Sequence, residues 1–408
     1  MTPLLTTVLA SLPVLSAACA RPADEHVLQI RARELWVGDG QRLENALLVV
    51  ADGRIRSVST GRAPDVSVPL YEHDGVVTAG LIACQSESGA AGELYDDTRA
   101  VLAAAHTVDV FQPEHRDFER ARAAGITTVV LSPGGENLVG GIACAVKTAG
   151  GRVLEPRSAL ALSFSGAALG RTNSSQFFFF GAAEDELQSP ADGGPEQPGR
   201  SARGTREPTS YSGAVATLQR LFASGAEPYA SAERGVLPVT LDAWDRHEIV
   251  RAALFAREHG LRGAVRGAPL AGDPEVLAEL KKSGLGVIHG PWSAEQTRAS
   301  LESLPRLSEA GLPVAFALDA PVHSPEDLRL FAARALSVGA PRDAVWKALT
   351  VDAAAIAGVG ERVGRLAEGM QADFVLWSGD PLDLRSRAQR VYVDGALAWS
   401  EPRPSSPR

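Results

Sequence analysis

Three cysteines in 408 residues are too few for a disulfide framework, and their spacing fits no zinc motif. Positive charge is also scarce. The net charge of −9 leaves no basic surplus to displace counterions from a nucleic-acid backbone, so no nucleic-acid partner is expected. The one arginine-rich stretch, Arg200, Arg203 and Arg206, lies in a Gly/Pro/Ser segment that reads as a solvated loop. There is no Gly-x-Ser-x-Gly elbow. The Gly-rich stretches Ser132-Pro133-Gly134-Gly135 and Leu138-Val139-Gly140-Gly141 lack the helix-opening spacing of a phosphate loop and read as a tight turn.

The first twenty residues carry no charged side chain, yet they are too short and too proline-interrupted for a spanning helix. They end in Ala18-Cys19-Ala20, a small-x-small pattern of the kind a signal peptidase cuts, and Leu15–Cys19 resembles a lipoprotein box. The expectation is a leader over 1–20 and an exported, periplasmic or cell-envelope lipoprotein, touching membrane only through an anchor at Cys19. The absence of a positive n-region leaves a disordered or mis-assigned N-terminus as the alternative.

With 45% apolar and 22% charged residues, the rest has the composition of a soluble globular protein. Residues 28–77 alternate like short antiparallel strands, with Asp52-Gly53 a hairpin signal. The C-terminal end repeats the texture in ADFVLWSGDP and QRVYVDGALAW, turning at Asp394-Gly395, so 28–77 plus 360–400 are expected to form one small β-domain. Between them, apolar runs alternate with helical patterns: ITTVVLS, ALALSF, LPVTLDA, LRGAVRG, LGVIH and LPVAFALD are separated by segments such as EIVRAALFAREHG and EVLAELKKSG. These are βα units on a parallel sheet, for which periodicity leaves a barrel and a doubly wound sheet both open. Residues 182–212, rich in Gly, Pro, Ser and charge, interrupt the rhythm as an expected flexible insertion after the run Phe177–Phe180, for which core, membrane patch and lid are open.

Three stretches resemble the amidohydrolase superfamily, specifically its imidazolonepropionase- and dihydroorotase-like members. Val77-Thr78-Ala79-Gly80-Leu81-Ile82 is similar to the family's "PGLIDxHxH" entry to the first barrel strand, and Ala123–Val129 to its "AAGVTTV" second strand. The longest runs from Asp319 through Ala348-Leu349-Thr350 to Val363–Phe374, similar to the eighth-strand Asp, the helix after it and the "G.IGSLE.GK.ADLV" return. The resemblance spans about Leu28 to Trp399 and implies an α/β fold, a (β/α)8 TIM-type barrel over 78–359 with a small β-sandwich domain formed by both chain ends. It also implies a hydrolase of non-peptide C–N bonds in amides or cyclic amides. In such enzymes a divalent metal (Mg, Mn, Ca or Zn) at the C-terminal mouth of the barrel activates water, and the eighth-strand Asp takes its proton. A small-molecule ligand or substrate is the implied partner, and a homo-oligomer is compatible with the family.

The family's ligand positions are largely substituted here. Ala83 stands where the first-strand Asp does, with Gln85 and Glu87 in place of its two histidines. Ser163 or Ser165 falls near an expected metal-bridging Lys, and no Lys lies between Lys147 and Lys281. Asp242 replaces the fifth-strand His, Arg266 is what the sixth strand offers, and Asp319 alone keeps its family role as catalytic group. Of the eight histidines, His26, His73, His106, His115, His247 and His259 fall away from strand C-termini. His289 and His323 end or follow barrel strands.

Several arrangements stay open. Gln85, Glu87, Asp242 and Asp319 could form an oxygen-only metal site suited to a hard ion. Glu87 could instead face solvent while Asp242 pairs with Arg266 across adjacent strands, or a histidine-based site could exist elsewhere. An exported pseudoenzyme that binds a ligand or acts as a scaffold is the rival function. Cys84, at the end of the first barrel strand, could face the mouth, though burial as a small apolar residue is the plainer expectation.

Overall fold

The computed structural model describes residues 27–170, 206–292 and 297–402. The leader 1–20 with Cys19, His26, Phe177–Phe180 and the insertion up to residue 205 lie outside the described residues.

Both chain ends build one sheet. Strands β1 (Val27–Trp36), β2 (Arg42–Ala51), β3 (Arg54–Thr60) and β4 (Leu70–Ala79) come from the N-terminal side. Three more, β13 (Phe374–Trp377), β14 (Ala388–Val393) and β15 (Ala396–Ser400), come from the C-terminal side. The sandwich expected here is hydrogen-bonded as one continuous ladder in the order β15-β14-β13-β4-β1-β2-β3, with the antiparallel β4–β13 pairing joining the two ends. Both Asp-Gly signals turn as expected. Asp52 and Gly53 have φ of 51° and 75°, and Asp394 and Gly395 have 49° and 75°, the two positive values of a turn that follows strand twist. Ile30, Leu48, Val77, Phe374 and Leu376 pack into this sheet's own core.

The second sheet has eight strands in chain order. They are β5 (Leu81–Ser86), β6 (Ile126–Leu131), β7 (Val139–Lys147), β8 (Val153–Ser163), β9 (Val239–Ala243), β10 (Gly263–Gly267), β11 (Gly286–His289) and β12 (Val314–Phe316). A parallel bridge from Ser86 to Ala320 brings the segment after β12 back to β5, so the sheet is nearly closed into a TIM-like barrel. Strands β5, β6 and β9–β12 are almost wholly buried, as expected of parallel strands covered on both faces. The barrel departs from the eight-fold parallel pattern at β7, which runs antiparallel to both β6 and β8. The cause is connection length: Ser132–Leu138 alone separates β6 from β7, and a parallel return needs about a dozen residues or more.

The helices are α1 (Asp117–Ala123), α2 (Tyr211–Ala223), α3 (Tyr229–Glu233), α4 (Arg246–Glu258), α5 (Pro274–Ser283), α6 (Arg298–Leu301), α7 (Ser303–Glu309), α8 (Asp327–Ser337), α9 (Arg342–Leu349) and α10 (Val351–Ile356). Their ends follow local chemistry. An Asp245/Glu248 capping box starts α4, while Asp273 with Pro274 starts α5 and Gly284, at φ 72°, stops it. Among the described residues no helix is long and apolar enough to cross a membrane.

Two expectations are corrected. The insertion expected to run to Ser212 stops short of it, because Ser210 caps α2 and Tyr211 begins it. Arg206 is not a solvated side chain: it donates to the carbonyls of Asp96 (2.9 Å), Arg99 (3.4 Å), Glu136 (2.6 Å) and Ala168 (3.3 Å), tying the loops that rim one end of the barrel.

The two sheets are joined by a buried ion cluster. Lys147, fully buried, sends Nζ to Asp373 Oδ1 at 2.9 Å and to Asp394, which also receives Arg152 at 3.2 Å. Burial raises the Asp373 carboxyl, and Lys147 works against that rise.

Candidate ligand site at the barrel mouth

Strand register carries the site residues to one end of the barrel. Gln85 and Ser86 end β5, and Asp242 and Arg266 are register partners near the ends of β9 and β10. Asp319 follows β12 at a φ of 53°, a left-handed value uncommon outside glycine. Its N–H and that of Leu318 donate to Gln85 O at 2.8 and 3.1 Å, and Glu87 N donates to Ala320 O at 2.7 Å. Gln85, Glu87, Asp242, Arg266 and Asp319 therefore line one cavity of about 400 Å³, with Glu93, Tyr95, Gly134, Gly135, Glu136 and Trp244 around them.

Asp242 is fully engaged. Arg266 Nε donates to its Oδ1 at 2.6 Å, Arg266 Nη2 makes a second close contact, and Trp244 Nε1 reaches its two oxygens at 3.3 and 3.2 Å. The cross-strand pair is thus the arrangement present. Parallel neighbours in register project to the same face, and a carboxylate buried to 3% exposure needs a partner. Burial disfavours the Arg266 charge, yet Asp242 outweighs it and the guanidinium is held protonated. Gly135 closes over the pair, and a Cβ there would stand 1.9 Å from Asp242 Oδ2.

Glu87 faces the cavity and not open solvent. Burial first, then the charges of Glu136, Asp319 and Glu93, push its carboxyl up to about 7, with Arg266 pulling the other way. Gln85 is buried, and its Nε2 donates to Ser132 O at 2.9 Å, with Pro133 O at 3.5 Å. Its Oε1 has no hydrogen-bond partner.

The oxygen-only metal set is not assembled. Among the described residues, the one group of three or more metal-type side chains whose ligand atoms lie within 4.8 Å is Asp245, His247 and Glu248. That group is a helix start: Glu248 accepts from Gly166 N (2.9 Å), Trp244 N (2.7 Å) and Asp245 N (3.1 Å). No histidine among the described residues lines the mouth cavity. With oxygen donors alone and Asp242 closed by a guanidinium and an indole N–H, the residues present do not fit a zinc ion.

The remaining expected residues are placed as follows. His289 is fully buried, with Nδ1 accepting from Trp292 Nε1 at 3.3 Å and Nε2 facing Ser300 O at 3.1 Å. Burial pushes it down to about 4, so it stays neutral and structural. His323 sits 3.6 Å from Asp327, His115 3.5 Å from Asp117 and His259 2.8 Å from Glu233, while His73 contacts Trp377 O at 2.9 Å. His247 packs against Tyr211, and His106 bridges to Ile142 through its backbone. Ala83 is buried, Ser163 Oγ accepts from Ser165 N, and Ser165 caps the short turn after it. Cys84 is buried against Ala353 O at 3.4 Å and pushed up to about 12, so it is no nucleophile.

Comparison with known proteins agrees with this architecture. The amidohydrolase family model matches residues 283–398. The amidohydrolase tasK of Hapsidospora irregularis is 31% identical over 96 residues, which are 24% of this chain and 10% of that protein, so the chain matches about a tenth of that relative's length. An amidohydrolase structure from Thermotoga maritima MSB8 superposes with a TM-score of 0.75 at 21% identity, over 92% of this chain and 100% of the other. A Xaa-Pro dipeptidase (TM-score 0.56, 14% identity, 92% and 100% covered) and the ochratoxinase of A. niger (0.55, 17%, 93% and 97%) share the fold. The described chain thus shares the fold of these structures, and its residues 283–398 match the amidohydrolase family model.

Proposed function

We propose that the protein binds a small amide in the barrel mouth and hydrolyses its C–N bond, with Glu87 as the proton-transfer group. One observation carries this reading. A half-buried carboxyl poised near 7 shares a cavity at the C-terminal strand ends with a fixed guanidinium. Glu87, deprotonated, takes a proton from water as its oxygen adds to the amide carbon. Arg266 supplies positive field for the oxygen that gains charge, and Asp242 and Trp244 hold it in place. Glu87 then returns the proton to the departing nitrogen as the C–N bond breaks, giving a carboxylic acid and an amine. Xaa-Pro dipeptides, after the dipeptidase neighbour's name, and the acylated amino acids and cyclic amides that the family resemblance implies are the compounds to screen by amine release. Loss of turnover in Glu87→Gln with folding intact supports the reading, and unchanged turnover overturns it.

A second reading is ligand binding without hydrolysis. It is favoured by the closure of Asp242, which leaves no set of donors among the described mouth residues converging on a zinc ion. The lipid-anchored envelope location belongs with either reading and rests on residues 1–20.

A further inference from the structure

We infer that the mouth recognises its ligand through a cationic group, a primary ammonium or guanidinium carried on the amide. This rests on the reading of the mouth as a ligand site. Glu87, Glu93, Glu136 and Asp319 line the cavity, and among the described residues Arg266 is the single basic side chain in its lining. That guanidinium is already committed, with Nε and Nη2 on Asp242 and Nη1 toward Pro133 O at 3.4 Å. Four carboxyl groups are left facing the cavity with no second cation among the described lining residues.

Gln85 points to the same chemistry independently. It is 1% exposed, and the two carbonyls facing its nitrogen fix the amide orientation, since a flip would set oxygen against oxygen. Its Oε1 is consequently a buried acceptor without a donor, which a ligand N–H satisfies. Among the described residues, the side-chain donors Trp244 Nε1 and Arg266 both serve Asp242. An anionic ligand would meet repulsion and few donors.

The acceptors also suit a multi-atom head better than a bare ion. Among the described residues no three mouth carboxylates place oxygens within 4.8 Å of one another, and they spread over a cavity of about 400 Å³. Tyr95 and Trp244, both partly exposed at the rim, add ring surface for an alkyl stem or a cation.

The test is calorimetric titration of the full chain with three matched amides: N-acetylcadaverine (cationic), N-hexylacetamide (neutral) and N-acetyl-6-aminohexanoate (anionic). Calcium and magnesium chloride are run as a metal arm. The cation should bind at least about tenfold more tightly than the neutral amide, the size of one charge-assisted hydrogen bond. Glu136→Gln, at an exposed position, and Asp319→Asn, whose asparagine tolerates the left-handed backbone, should each shrink that preference. Equal binding of the three amides, or tightest binding of the anion, overturns the inference while leaving an amide site. Calcium or magnesium binding that excludes the cationic amide also overturns it. Absence of all binding overturns both this and the proposed function. Cation preference without turnover supports the inference and removes only the hydrolysis.

Discussion

Glu87 sits where water is scarce and negative charge plentiful, and both effects favour its neutral form. Its native carboxyl titrates near 7 against an ordinary 4.5, so between those values the folded chain holds more protons than the unfolded one. Stability therefore falls as pH rises through that window, and Glu87→Gln should flatten the fall, as urea melts at pH 5 and 8 would show. If Glu87 is the base, turnover should rise with pH to a plateau above about 7 and drop by about 10²–10⁴-fold in Glu87→Gln. An unchanged acid limb in the variant would assign the proton to another group. The Asp242–Arg266 pair behaves differently, because each ion is buried only by virtue of the other. Arg266→Met should cost about 3–5 kcal/mol by leaving Asp242 uncompensated, and adding Asp242→Asn should recover much of it. Chemical denaturation of the single and double variants measures this, and a double variant as weak as the single one would contradict it.

At the scale of elements, the site is made by short connections whose backbone comes very close to side chains. The Pro133–Glu136 turn lies on Asp242 so tightly that only glycine fits at 135, and Gly135→Ala must move either the turn or the ion pair. Ligand affinity should fall by about tenfold or more, as expected when a positioned polar group shifts; an unchanged affinity would show that the turn does not hold the site. This scale also separates what was legible in the sequence from what was not. The Asp-Gly hairpins and the buried parallel strands were readable because each is decided by neighbours in the chain. The reversal of β7 was hidden because its cue, a connection too short for a parallel return, looked like a glycine-rich turn within a βα series. Gln85, Glu87, Asp242 and Asp319 could be placed at the mouth because the family resemblance aligns them with ligand positions at strand ends. Glu93, Tyr95, Glu136 and Trp244 were missed, since loop residues reach a cavity by tertiary path alone. Arg206 was misread for the same reason, its four carbonyl partners coming from three separate loops. Trp244 left one signal, standing two residues beyond Asp242 on the same strand exit.

For the whole molecule, the β-domain and barrel share a buried charge cluster in place of a purely apolar seam. Lys147 leaves the end of β7 and enters the sheet made by the chain termini, where it meets Asp373 and Asp394. Lys147→Met strands Asp373, buried to 4% exposure, and should cost about 3–5 kcal/mol in urea unfolding. A loss below about 1 kcal/mol, the range of exposed ion pairs, would show the cluster to be peripheral. The same architecture gives the mouth a shape that needs no bound ion. The barrel closes through backbone bonds from Gln85 O to Leu318 and Asp319 and from Glu87 N to Ala320 O, independently of any ion.

The central claim is that this mouth hydrolyses an amide with Glu87 moving the proton. The most direct measurement is amine release from acylated amino acids, cyclic amides and N-acetylcadaverine by the full chain and by Glu87→Gln, each checked for folding. The expected result is turnover by the wild-type chain that the variant loses. Binding of these amides with no turnover by either protein, or equal turnover by both, would contradict it.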